Sequence, residues 1–75
     1  MKTKTIENIL KKANIEYVKE STNKIKATLV LENEKVEFET FGNTGEDKIL
    51  FYNITFSNGF EQVLDTLSWL KRATL

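Results

Sequence analysis

The chain has no cysteine and no histidine, and these two absences remove most ordinary protein chemistry from it. Without cysteine there is no disulfide to staple a small fold and no thiolate nucleophile. Without either residue there is no zinc site of the usual composition and no imidazole to act as a base near neutral pH. Ser21, Ser57 and Ser68 therefore lack an ordinary activating base. Gly42 and Gly45 are not followed by the lysine and hydroxyl residue of a phosphate loop, and the Gly42–Asp47 segment lacks the alternating acidic ligands of a calcium loop. Carboxylates cluster only at positions that read as wet, which is a poor setting for acid–base catalysis. No enzyme, cofactor, metal or small-molecule substrate is expected.

Long apolar runs are also missing. Residues 1–10 carry charge throughout and space their apolar side chains, unlike a signal peptide or a membrane span, so a soluble cytoplasmic protein is expected. There is no proline, and ten lysines stand against one arginine. That bias suits an A+T-rich gene, as in a low-G+C bacterium or its phages and plasmids.

What is present is a pattern for one small α+β domain. Seventy-five residues support a single core worth on the order of 3 to 5 kcal/mol. The stretch Lys48–Phe56 is apolar on both faces: Leu50, Tyr52, Ile54 and Phe56 share one side of an extended chain, and Ile49 and Phe51 begin the other. This predicts a central strand. Before it, Ile6, Ile9, Leu10 and Ala13 form the stripe of a helix from about Lys4 to Ala13, with Glu7 and Lys11 spaced to pair on its wet side. Asn14 suits a left-handed stop, and Ile15–Lys19 is rich in strand formers; the rival reading continues the helix through Tyr17.

From Lys24 the period becomes two. Ile25, Ala27, Leu29 and Leu31 point one way, and Val36 and Phe38 resume that face after a turn at Glu32–Lys35. With Leu31 opposite Val36, Thr28 faces Glu39 and Lys26 faces Phe41. Residues 42–47 read as a loop. A second helix is predicted from Asn58, or from Ser57, with Glu61 completing a capping box and Phe60, Val63, Leu64, Leu67 and Leu70 as its apolar face. The expected fold is an N-terminal helix, a three- or four-stranded antiparallel β-sheet, and a C-terminal helix packed on the sheet.

Charge and one tryptophan supply the candidate binding residues. Residues 1–29 hold seven lysines against three glutamates, whereas Glu32, Glu34, Glu37, Glu39, Glu46 and Asp47 face only Lys35 within residues 31–47. Such an acidic segment either docks on a basic site or is a solvated, aggregation-resistant surface. Counted from Phe60 along the second helix, Trp69 falls opposite the core stripe, near Asp65 and Arg72, where a large aromatic suits an interface. The alternative is that neighbouring chain covers the indole.

The leading expectation is a non-enzymatic protein-binding module that blocks a basic or nucleic-acid-binding surface of a larger bacterial protein. The acidic hairpin and loop, with Trp69, would make the contact. In size and layout alone the chain is similar in outline to small phage-encoded inhibitors of bacterial defence systems or host enzymes. One alternative is a homodimer closed by Trp69 and Leu75 on the C-terminal helix. Another is weak nucleic-acid binding through Lys11, Lys12, Lys24 and Lys26, with Tyr17 or Phe41 stacking on a base. The neutral net charge and single arginine argue against that second alternative.

Overall fold

The computed structural model describes residues 1–75. Helix α1 spans Thr3–Lys12, followed by β1 (Tyr17–Ser21), β2 (Lys24–Leu31), β3 (Glu34–Phe41), β4 (Phe51–Thr55), β5 (Glu61–Leu64) and helix α2 (Ser68–Ala73). The strands form one antiparallel meander in sequence order. No helix is long and apolar enough to cross a membrane.

The α+β class and the two flanking helices follow the sequence reading, but the sheet has five strands rather than three or four. Asn14 takes a left-handed φ of 58°, which ends α1 and frees Tyr17–Ser21 to pair with β2. The fifth strand replaces the first half of the predicted second helix. Asn58 does not cap a helix. Its Oδ1 accepts the Phe60 N–H at 3.0 Å within a three-residue connection, Ser57–Gly59, whose last member sits at φ 88°. Phe56 donates to the Phe60 carbonyl at 2.8 Å and closes this hairpin. Asn-Gly between strand-compatible residues is a strong hairpin signal, and here it overrides the capping pattern.

The first long hairpin is tighter than expected. Glu32 and Asn33, at φ 49° and 70°, make a two-residue turn whose twist matches that of the strands, so Leu31 pairs with Glu34 and Leu29 with Val36. The slip is two residues, so every side chain keeps its face while its partners change. Thr28 faces Glu37, and Lys26 faces Glu39.

Strand β4 lies one place in from the edge, and β3 is the central strand. Tyr52 and Ile54 point into the core as predicted, but Leu50 does not. The Leu50 N–H also reaches the Phe41 carbonyl at 2.8 Å, so Leu50 and Phe51 both oppose Phe41, as in a β-bulge. The extra residue reverses the alternation. Leu50 and Phe51 are left 41% and 37% exposed, and Ile49 enters the core, held by mutual hydrogen bonds with Met1 at 2.7 and 2.8 Å.

Both helices cover the same face of the sheet. Ile6 and Leu10 of α1 and Leu70 of α2 join Ile25, Ala27, Leu29, Val36, Phe38, Ile49, Tyr52 and Ile54 in one apolar core. The opposite face, carrying Val18, Lys26, Glu37, Glu39, Phe51 and Val63, has no cover.

Glu7 ties α1 to the outer strand β1 rather than pairing with Lys11. Its carboxylate accepts the Tyr17 hydroxyl at 2.8 Å and lies 3.4 Å from the Lys19 ammonium. The Tyr17 hydrogen bond is the main cause holding the Glu7 pKa below its ordinary 4.5. A depressed carboxylate stabilises the fold above its unfolded pKa, and that contribution fades as pH falls through the lower folded value. Glu7→Gln is therefore expected to lower the urea midpoint at pH 7 and to converge on wild type as the buffer is taken down through and below the depressed Glu7 pKa. An undiminished gap at acid pH would count against this linkage.

Candidate docking groove

The site begins with α2. Leu67 starts this short helix and accepts the Lys71 N–H at 2.9 Å, and Leu70 anchors it in the core. Trp69 does not point outward as its predicted phase required, because the residues before Ser68 form β5 and a link rather than helix, so a helical count from Phe60 has no meaning. The indole is half-buried against Tyr52, with ring centroids 6.4 Å apart at 48°. Tyr52 donates its hydroxyl to the Thr66 carbonyl at 2.7 Å, which fixes the β5–α2 link, and burial pushes its phenol above the usual 10.

Between α2 and the tip of the β2–β3 hairpin lies an open groove of about 630 Å³. Leu31, Phe56 and Trp69 form its apolar wall, Glu32 and Glu34 stand at the hairpin end, and Arg72 lies on the helix side. Glu34 is anchored: one carboxylate oxygen accepts the Ser57 hydroxyl at 2.8 Å and the Ser57 N–H at 3.3 Å. Glu32 is exposed on the turn, and Arg72 is exposed without an ion pair.

The remaining predicted residues do not join this group. Glu37 lies on the uncovered sheet face, where the Thr28 hydroxyl donates to its carboxylate at 3.1 Å. Glu39, on the same face, sits 3.1 Å from the Lys24 ammonium and 3.8 Å from that of Lys26. Glu46 and Asp47 are exposed in the β3–β4 loop, at the opposite end of the sheet from the hairpin turn. Asn23 holds that loop, donating to the Asn43 and Glu46 carbonyls at 2.6 and 2.9 Å. A Cβ on Gly42 would collide with the Lys48 carbonyl and the Asn23 amide, which explains the glycine there. Asp65 is exposed beyond β5. The acidic run in sequence is thus three separate places in space, and the groove unites only Glu32, Glu34, Trp69 and Arg72.

Sequence reading missed Leu31 and Phe56 as groove residues, having placed both on the inward faces of their strands. It also missed the stack on the uncovered face, where Phe41 and Phe51 lie 5.1 Å apart at 19° and the Lys24 ammonium sits 4.8 Å over the Phe41 ring. Lys24 and Lys26 are occupied by acidic neighbours, Lys26 also lying 3.6 Å from Glu20, so these lysines offer little free positive charge to a phosphate. No group of three or more acidic residues converges to hold a metal ion.

Chemically, the groove offers an aromatic and aliphatic wall ending in two carboxylates. That arrangement suits the stem and charge of a lysine or arginine. No family model matches the chain, and neither the curated proteins nor the solved structures give a significant match.

Proposed function

We propose that this protein is a non-enzymatic binding module that covers a basic surface of a larger protein partner, acting as a small inhibitor of the kind phages and mobile elements encode. The reading rests on one observation: the groove sets the Trp69 and Phe56 rings beside the Glu32 and Glu34 carboxylates. A lysine or arginine from the partner lays its stem on the rings and its charge on the acids. Arg72 on the far wall sets the direction of entry by repelling a cation there. Surfaces that bind nucleic acid carry such side chains, and covering one would displace its phosphates.

The test is capture from nuclease-treated bacterial lysate by immobilised protein, with elution by rising salt. Wild type is expected to hold a partner that salt releases, and the Glu32→Gln/Glu34→Gln double variant to bind it about tenfold more weakly, the loss of roughly 1.4 kcal/mol. The amide oxygen that replaces the Glu34 carboxylate still accepts from Ser57, so the hairpin remains intact. Equal retention by both proteins would overturn the proposal. Trp69→Ser is a poorer probe, because it removes a ring that also packs on Tyr52.

A further inference from the structure

The two edges of the sheet are unlike. The β1 edge is guarded: its pairing is irregular between Lys19 and Ser21, and the charged Lys19 and Glu20 lie along it. The β5 edge is regular, carries neither lysine nor proline, and leaves Val63 64% exposed on the uncovered face and Phe60, just before the strand, 58% exposed on the helix side. Its unpaired backbone groups can be assigned. Phe56 and Phe60 form a hydrogen-bonded pair. Antiparallel pairs alternate, so Ile54/Gln62 and Tyr52/Leu64 are bonded too, and the N–H and C=O groups of Glu61 and Val63 point away from β4.

We infer that the β5 edge pairs antiparallel with β5 of a second copy, about a two-fold axis at Gln62, joining two five-stranded sheets into one. Charge selects this register. Opposed residues must share a face, so the near alternatives set either Glu61 against Glu61 or Glu61 against Asp65, and like charges directly opposite destabilise a sheet. Only the intermediate register avoids both. It places Glu61 opposite Val63 of the second copy, where their outward backbone groups make two hydrogen bonds, and symmetry repeats them. On the helix side the two Gln62 amides meet across the axis and bond to each other. Phe60 comes opposite Leu64 in a non-hydrogen-bonded pair, the closer kind at about 4.5 Å between Cα atoms, so the exposed ring gains cover. The proposal does not rest on the groove: it uses the outward backbone groups of Glu61 and Val63, and neither residue lines the groove, although the groove residue Phe56 packs on Phe60 with ring centroids 5.9 Å apart.

Sedimentation of the full chain at high micromolar concentration is expected to give twice the 8.7 kDa of one chain. Val63→Pro is expected to halve that mass with an unchanged circular dichroism spectrum, since it deletes only an outward N–H at an edge position that tolerates proline. Should Val63→Pro not fold, Val63→Lys guards the edge by charge and carries the same expectation. Because the chain has no cysteine, Gln62→Cys supplies a single thiol that oxidation should convert to a disulfide-linked dimer, whereas Glu20→Cys on β1 should stay monomeric. A wild type that sediments as a single chain, a dimer that persists in the folded Val63 variant, or equal cross-linking from Glu20→Cys would each overturn the inference.

Discussion

Tyr52→Ala is expected to unfold the chain at room temperature. Tyr52 is fully buried in β4, its ring centroid is 5.0 Å from that of Phe38 and 6.4 Å from that of Trp69, and its hydroxyl tethers the Thr66 carbonyl. Truncating a buried aromatic to alanine costs about 3 to 5 kcal/mol. A stapleless core of this size supplies on the order of 3 to 5 kcal/mol in total. The cost therefore matches the whole stability rather than a fraction of it. Loss of the near-ultraviolet circular dichroism signal and of a cooperative urea transition would register the collapse. Tyr52→Phe separates the two roles of the side chain: it keeps the ring and removes only the tether, for about 1 kcal/mol. A Tyr52→Ala protein that melts cooperatively near the wild-type midpoint would show that the core does not depend on this residue.

The same substitution, threonine to valine, should act with opposite signs at two buried sites. Thr40 accepts the Ile25 N–H and donates to the Asn23 carbonyl, both at 2.8 Å, so its hydroxyl stands in for backbone pairing where β2 begins. Valine preserves the shape but strands a buried N–H and a buried C=O, each worth about 1 to 3 kcal/mol. Thr40→Val should lower the melting temperature by at least about 8 °C, at roughly 4 to 8 °C per kcal/mol for a domain of this length. Thr3 is equally buried at the start of α1, yet its hydroxyl has no partner. Thr3→Val removes an unpaired polar atom without changing volume, so it should raise stability by up to about 1 kcal/mol. Parallel thermal melts decide the matter. Shifts of the same sign would refute the assignment of one hydroxyl as paired and the other as orphaned.

How much could be read from the residues depended on whether the signal was local. The α1 stripe, the Asn14 break, the period-two run from Lys24 and the 42–47 loop are each set by side chains adjacent in sequence, and each is found in the fold. Phe60–Leu64 reads as helix, since a short strand and the first turns of a helix can display the same apolar positions. The left-handed Gly59 and the pairing partner in β4 decide it, and the second of these is a tertiary fact. The error then propagated to Trp69, whose direction had been counted along a helix that begins only at Ser68. The hairpin register turned on Glu32 adopting a positive φ, which its side chain does not advertise. The candidate site was legible as residue types and illegible as a place: Glu32 and Glu34 meet Trp69 because α2 folds back over the sheet, while Glu46 and Asp47, close to them in sequence, lie a strand's length away.

The sequential strand order also governs how the chain reaches this structure. Each strand pairs only with its sequence neighbours. Hairpins close in about 1 to 10 μs, whereas a ribosome adds about 5 to 20 residues per second, so every strand has ample time to find its neighbour before the next emerges. The meander can therefore grow one strand at a time without waiting for a distant partner. Its inner face cannot be completed in the same way, since Leu70 and Trp69 arrive only after β5. A nascent chain thus carries a paired but half-covered sheet, with Tyr52 and Phe56 open to water, until the last helix leaves the ribosome.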